Sequence, residues 1–113
     1  MSELLNKQQQ FSKMLSQFLI WLFANDYEVT FGEVKRTKEQ AEENASKNIG
    51  ILKSLHLISL AVDLNLFKNG QFLTDPNDYQ LAGEYWESIG GSWGGRFKNV
   101  DADHFSLAYN GVR

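Results

Sequence analysis

Apolar residues recur near the start of the chain with helical spacing. Phe11, Leu15, Phe18, Leu19 and Leu22 fall on one face, with Lys13, Ser16 and Gln17 between them. This pattern predicts an amphipathic helix from about Gln8 to Asn25 whose stripe faces a core. The period shortens to two over Tyr27-Glu28-Val29-Thr30-Phe31, which predicts a short strand, with Gly32 as a bend before Arg36. Thr37-Lys38-Glu39-Gln40 has the form of a capping box and predicts a short helix to about Glu43. From Asn44 to Lys53 the periodicity is lost, and the Asn, Ser and Gly content predicts a surface loop.

Leu60, Val62, Leu64 and Leu66 then alternate with Ala61, Asp63, Asn65 and Phe67, so a strand here buries a leucine-rich face and offers Asp63 to a cleft. Lys68-Asn69-Gly70-Gln71 predicts a tight hairpin, Asn-Gly being suited to the positive backbone angles of a type I′ turn, with Phe72-Leu73 pairing back. Asp75-Pro76-Asn77-Asp78 is a helix start, with an aspartate cap, proline at the first helical position and an acid near the positive end of the dipole. Tyr79, Ala82, Tyr85, Trp86 and Ile89 give that helix its buried face, and Gly90-Gly91 ends it. A loop is expected over Ser92-Trp93-Gly94-Gly95-Arg96-Phe97, followed by a terminal strand from His104 to Tyr109. On that strand His104 shares parity with Ser106 and Ala108, opposite Phe105, Leu107 and Tyr109. The elements predict an α+β fold, with a small antiparallel sheet carrying a cleft and packed against two main helices.

A length of 113 residues is that of one domain, expected to span 1–113 with its core at about 8–109, and long enough to bury roughly two-thirds of its unfolded surface. With 42% hydrophobic and 22% charged residues the composition is globular rather than disordered. There is no cysteine, so metal ligands must come from His, Asp or Glu. The net charge of −3 and the scatter of the eleven Lys and Arg argue against a phosphate-binding stripe, and no nucleic-acid partner is expected. Met1 to Lys7 has neither the basic nor the apolar region of a secretory signal. The apolar run from Phe18 to Ala24 is far short of the ~20 residues that span a bilayer. The expectation is synthesis in a cytoplasm with no membrane anchor, as a monomer.

The chain has two histidines, one in Ser54-Leu55-His56 and the other in Asp101-Ala102-Asp103-His104. His56 precedes Asp63 by seven residues, which on a regular helix would separate their backbones by about 10 Å and on a regular strand would point them to opposite faces. A shared metal therefore requires a bend between them, and Ser59 is its expected place. His56, Asp63 and His104 would give two nitrogens and one oxygen, leaving a fourth position open as in catalytic zinc sites. Asp101 is then the natural general base towards water and proton donor to a leaving amine, and Arg36 could stabilise an oxyanion or clamp a carboxylate.

These residues resemble the small zinc peptidases of the lysostaphin, D-alanyl-D-alanine and sonic hedgehog group, especially the L-alanyl-D-glutamate endopeptidases and D-alanyl-D-alanine carboxypeptidases of phage endolysins. The resemblance rests on Ser54, His56, Ala61 and Asp63 as a first motif and on Asp101, His104 and Phe105 as a second. Arg36-Thr37, and the aromatic and glycine segment from Tyr85-Trp86 through Trp93-Gly94-Gly95-Arg96-Phe97, extend it over about Phe11 to Phe105. One departure is Ser59, where the family usually has glycine. The resemblance implies one zinc ion held by His56, Asp63 and His104, Asp101 as catalytic acid/base, and Arg36 on the substrate or its oxyanion. Ser54 and Trp93 are candidates to line the substrate site. The implied function is hydrolysis of a stem-peptide amide of peptidoglycan, of the L-Ala-D-Glu endopeptidase type, by a phage or prophage lysin acting on the cell wall. The alternatives are a D-Ala-D-Ala carboxypeptidase or a non-catalytic cell-wall-binding relative. A non-haem iron oxygenase would need a larger barrel, and a structural zinc domain a fourth protein ligand.

Overall fold

The computed structural model describes residues 2–32 and 55–113, and the side chains of His56 and Leu57 lie outside that description. Helix α1 runs Glu3–Ala24. It begins five residues earlier than the apolar stripe alone predicts, because Ser2 caps it, the hydroxyl accepting from the Leu5 backbone N–H at 3.0 Å. The stripe is buried as expected, at Phe11, Met14, Phe18 and Leu22, with Leu15 and Leu19 packed beside it. Strand β1 follows at Glu28–Phe31. The predicted helix over Thr37–Glu43 and the predicted loop over Asn44–Lys53 lie outside the described residues.

A single 3₁₀ turn, Leu55–Ile58, leads into β2, Ala61–Lys68. Between them Ser59 takes φ 58°, in the left-handed region. The Leu60 N–H closes the turn on the Leu55 carbonyl at 3.0 Å, the six-to-one bond that accompanies a left-handed residue after a helical turn. Gln8 of α1 donates to the Ile58 carbonyl at 2.8 Å and ties the bend to the helix. The bend required between His56 and Asp63 is thus present at Ser59, in the backbone conformation that glycine adopts without steric cost. Ser59→Gly is expected to stabilise the fold by about 0.5–1 kcal/mol, and Ser59→Val to destabilise it by about 1–2 kcal/mol. Urea denaturation of the two variants checks both signs; equal stability of the two would mean that the turn relaxes away from this angle.

Strand β2 is the centre of an antiparallel sheet. It pairs with β1 (Phe31 opposite Leu64), with β3 at Gln71–Phe72 through the hairpin, and with β5 at His104–Ser106. Asn69 and Gly70 in the hairpin both have positive φ, 53° and 76°, as the Asn-Gly pair predicts. Asp75 caps a 3₁₀ turn, Pro76–Tyr79, which continues into helix α2, Gln80–Ser88. Ser92–Trp93, expected as loop, forms strand β4 against β5, and Gly94–Arg96 forms a further 3₁₀ turn. A two-residue strand has no periodicity of its own; its pairing with Ser106 and Phe105 creates it. The terminal strand ends at Ser106, not Tyr109, because its partner β2 begins at Ala61. One further bond, from Leu107 N–H to Leu60 carbonyl at 2.9 Å, precedes a turn through Asn110 and Gly111, both with positive φ.

The core lies between one face of the sheet and the two helices. Phe18 is its hub, with ring centroids 4.9 Å from Phe105, 5.1 Å from Trp86 and 6.1 Å from Tyr85. The Trp86 indole donates to the Ser106 carbonyl at 2.9 Å, so this large buried ring also satisfies its one polar atom. Leu60, Val62, Leu64 and Leu66 are fully buried, which leaves Asp63 and Asn65 on the opposite face of β2. The fold is α+β, as predicted. No helix among the described residues is long and apolar enough to cross a membrane.

Candidate metal centre

Register places the chemistry. Asp63 on β2 is directly opposite His104 on β5, and cross-strand partners project to the same side of a sheet. The His104 Nδ1 stands 3.6 Å from an Asp63 carboxylate oxygen and 3.9 Å from one of Asp101. One ligand atom from each of the three lies within 4.8 Å of the others. His104 is only 6% exposed, whereas the Asp101 side chain is 52% exposed and stands at the mouth of the site. The Phe97 ring lies 5.2 Å from the imidazole and helps fix its plane.

The turn that carries Asp101 and His104 is held at every peptide. The Asp101 carbonyl accepts from the His104 N–H at 3.1 Å, that of Ala102 from the Trp93 indole at 2.7 Å, and that of Asp103 from the Leu64 N–H at 2.9 Å. The Asp101 N–H in turn donates to the Gly94 carbonyl at 2.9 Å. Gly94 lies so close under the turn that a Cβ there would overlap the Asp101 carbonyl oxygen and come within 2.8 Å of the His104 Cβ. Asp63 is held from the other side, where its carbonyl accepts from the Gly32 N–H at 2.8 Å as β1 ends.

Sequence reasoning assigned no role to Asp103. Burial pushes its carboxyl up to about 7, helped by a hydrogen bond with Asp101 and by the negative charges of Asp63 and Asp101. Gathering three carboxyl groups is what favours the protonated form of the most buried of them, Asp103. The signal for Asp103 was its place in the Asp-Ala-Asp-His string, directly before one candidate ligand and two residues after another acid.

The donor set fits a divalent metal. Zinc bonds of about 2.0–2.1 Å in a tetrahedron put neighbouring ligand atoms roughly 3.3 Å apart. The 3.6 Å separation of Asp63 and His104 is close to that edge, and Asp101 is slightly farther out. Of the other residues singled out from the sequence, His56 lies in the 3₁₀ turn that enters β2, with its side chain outside the description, and Arg36 and Ser54 lie outside the described residues. Trp93 does not join the group. It is 4% exposed, and Gly83 and Gly95 lie against its ring so closely that a Cβ at either would overlap it. A ring so covered offers little surface to a ligand; the Arg96 guanidinium stands 5.2 Å from its centroid, and its indole N–H supports the Ala102 carbonyl.

A family described as D-alanyl-D-alanine carboxypeptidase matches residues 48–107, which include both histidine segments. No curated protein matches the sequence. Among solved structures, the Serratia marcescens L-Ala D-Glu endopeptidase ChiX superposes with a TM-score of 0.75 over 88% of this chain and 79% of its own, at 20% identity. At that identity the likeness is one of fold. The family match spans more than half of the sequence, from before His56 to past His104, and the chain belongs to the D-alanyl-D-alanine carboxypeptidase family of peptidases.

Proposed function

We propose that the protein is a zinc-dependent peptidoglycan peptidase that hydrolyses the L-Ala-D-Glu amide of the stem peptide, in the manner of a phage or prophage endolysin. The observation that carries this reading is the exposed Asp101 carboxylate placed 3.9 Å from His104, itself 3.6 Å from Asp63. A ligand pair with an exposed acid beside it suits a hydrolytic site, where a general base must reach both water and substrate. His56, Asp63 and His104 would hold the ion. When bound, zinc acts as a Lewis acid towards the amide carbonyl and lowers the pKa of water.

Asp101 accepts a proton from the attacking water as its oxygen bonds to the carbonyl carbon. It returns a proton to the amide nitrogen as the carbon–nitrogen bond breaks, giving a carboxylate and a free amine. Arg36 is assigned to a substrate carboxylate or the developing oxyanion, and Ser54 to the rim of the site. Trp93 is assigned to support of the 101–104 turn. The fold likeness to ChiX favours the L-Ala-D-Glu bond, and the family description favours release of terminal D-alanine as the second reading.

Incubating the zinc-loaded protein with purified peptidoglycan and weighing the released fragments separates the two. New D-Glu amino termini mark the endopeptidase, and free D-alanine marks the carboxypeptidase. Chelation is expected to abolish release, and added zinc to restore it. Zinc-loaded protein that releases nothing would sink the enzyme reading and leave a cell-wall-binding relative.

A further inference from the structure

After β5 the chain folds back on itself. Tyr109 and Val112 exchange backbone hydrogen bonds of 2.9 and 3.0 Å across Asn110 and Gly111, whose positive φ values of 50° and 77° are those of a type I′ turn. Tyr109 and Val112 both pack against the core, so the turn is anchored at each end. It delivers the exposed Arg113 to the Phe97 ring, with the guanidinium carbon 5.2 Å from the ring centroid. The same ring lies 5.2 Å from the His104 imidazole, and these two successive steps bound how far the cation stands from a candidate metal ligand. An aromatic face attracts a cation through its quadrupole and offers no lone pair, so this contact holds Arg113 without consuming its fork of N–H donors. Arg96, by contrast, is engaged by the Glu87 carboxylate through two N–H bonds of 3.1 Å.

We infer that Arg113 is a specificity-determining residue, pairing with the α-carboxylate of the residue on the nitrogen side of the scissile amide, so that the protein distinguishes a free carboxylate there from a carboxamide. The inference rests on the peptidase reading above and adds a discrimination to it. Both bonds under consideration, L-Ala-D-Glu and D-Ala-D-Ala, place an α-carboxylate on that residue. Such a carboxylate lies roughly 3–4 Å from the carbon under attack, within reach of a cation held beside the ring that covers His104. A carboxylate meets the guanidinium fork in two parallel N–H bonds, whereas a carboxamide offers one acceptor and turns its own N–H donors towards the cation. The difference between these two pairings is the discrimination.

The test uses the zinc-loaded full chain with two substrates that differ in one group, N-acetyl-L-Ala-D-Gln with its free α-carboxylate and the corresponding α-amide. The amide is expected to have a kcat/KM at least tenfold lower, carried by KM. Arg113→Met keeps an unbranched side chain against Phe97 but removes the charge, and is expected to narrow that gap to threefold or less by raising KM for the carboxylate. Arg113→Lys should restore part of the gap. Equal use of both substrates by the wild type would overturn the assignment, as would an unchanged gap in Arg113→Met, which would give the carboxylate to another cation. An equal loss on both substrates would also overturn it, because Arg113 would then act only by steadying Phe97 and His104. Independently of turnover, D-glutamine is expected to shift the Arg113 Nε–H signal in a nitrogen–proton NMR titration, and its α-amide to leave that signal in place. A shift with both probes or with neither would overturn the assignment. A shift with D-glutamine alone, without cleavage of either substrate, would support the carboxylate site while removing the hydrolytic reading.

Discussion

Replacing Asp101 by asparagine is expected to lower turnover by about 10²–10⁴-fold, the contribution of one positioned general acid/base. The metal content should not change. Asparagine keeps the size and one acceptor oxygen of aspartate but cannot take a proton from water or return one to a leaving amine. At 52% exposure the side chain can be exchanged with little effect on the core, whereas Asp63 and His104 are considerably more enclosed. Metal analysis after dialysis, beside a turnover assay on a stem-peptide substrate, checks both halves. Loss of bound metal in Asp101→Asn would make Asp101 a ligand instead, in line with its place in the three-residue donor group.

Gly94→Ala should damage the fold and the metal centre together. The added methyl would overlap the Asp101 carbonyl oxygen and press on the His104 Cβ at 2.8 Å, so the turn must move. Overpacking of this kind typically costs about 1–3 kcal/mol. Displacing a ligand and its neighbouring acid together should also weaken metal binding by about 10–100-fold, the range seen when support around a metal ligand is removed. Thermal unfolding of the chelated protein reads the first effect, and competition with a chromogenic chelator reads the second. Unchanged values in both would show that the 101–104 turn is not held by its contact with the Gly94 backbone.

Much of this site is legible in the sequence because two strong local codes coincide there. The alternation from Leu60 to Phe67 fixes which face of β2 Asp63 occupies, and the incompatibility of His56 and Asp63 with any regular element requires a bend, which appears as the positive φ of Ser59. The parity of His104 with Ser106 places the imidazole on the matching face of β5. What could not be read depends on contacts between distant segments. The Trp93 indole reaching the Ala102 carbonyl, Gly94 beneath Asp101 and Gln8 holding the Ile58 carbonyl each join residues whose types permit many other partners. The start of α1 was missed because the polar run from Asn6 to Gln10 separates Ser2 from the apolar stripe. Strand β4 was missed because two residues cannot express a period. The raised pKa of Asp103 arises from burial and from charges brought in by folding, which its local sequence does not encode.

The direct pairing of Asp63 with His104 ties the reaction chemistry to a counting problem along β2. A slip of one residue between β2 and β5 would put Val62 or Leu64 opposite the imidazole and drive the Asp63 carboxylate among the leucines. The interior that rejects this charge therefore acts as the proofreader of the site. Leu60, Val62, Leu64 and Leu66 touch no substrate, yet they enforce the single alignment in which an aspartate and a histidine from strands some forty residues apart in sequence meet across one rung. Enlarging or trimming those side chains can thus change fidelity of assembly before it changes chemistry, and a population of misaligned molecules would register as fractional metal occupancy rather than as an altered rate per loaded site.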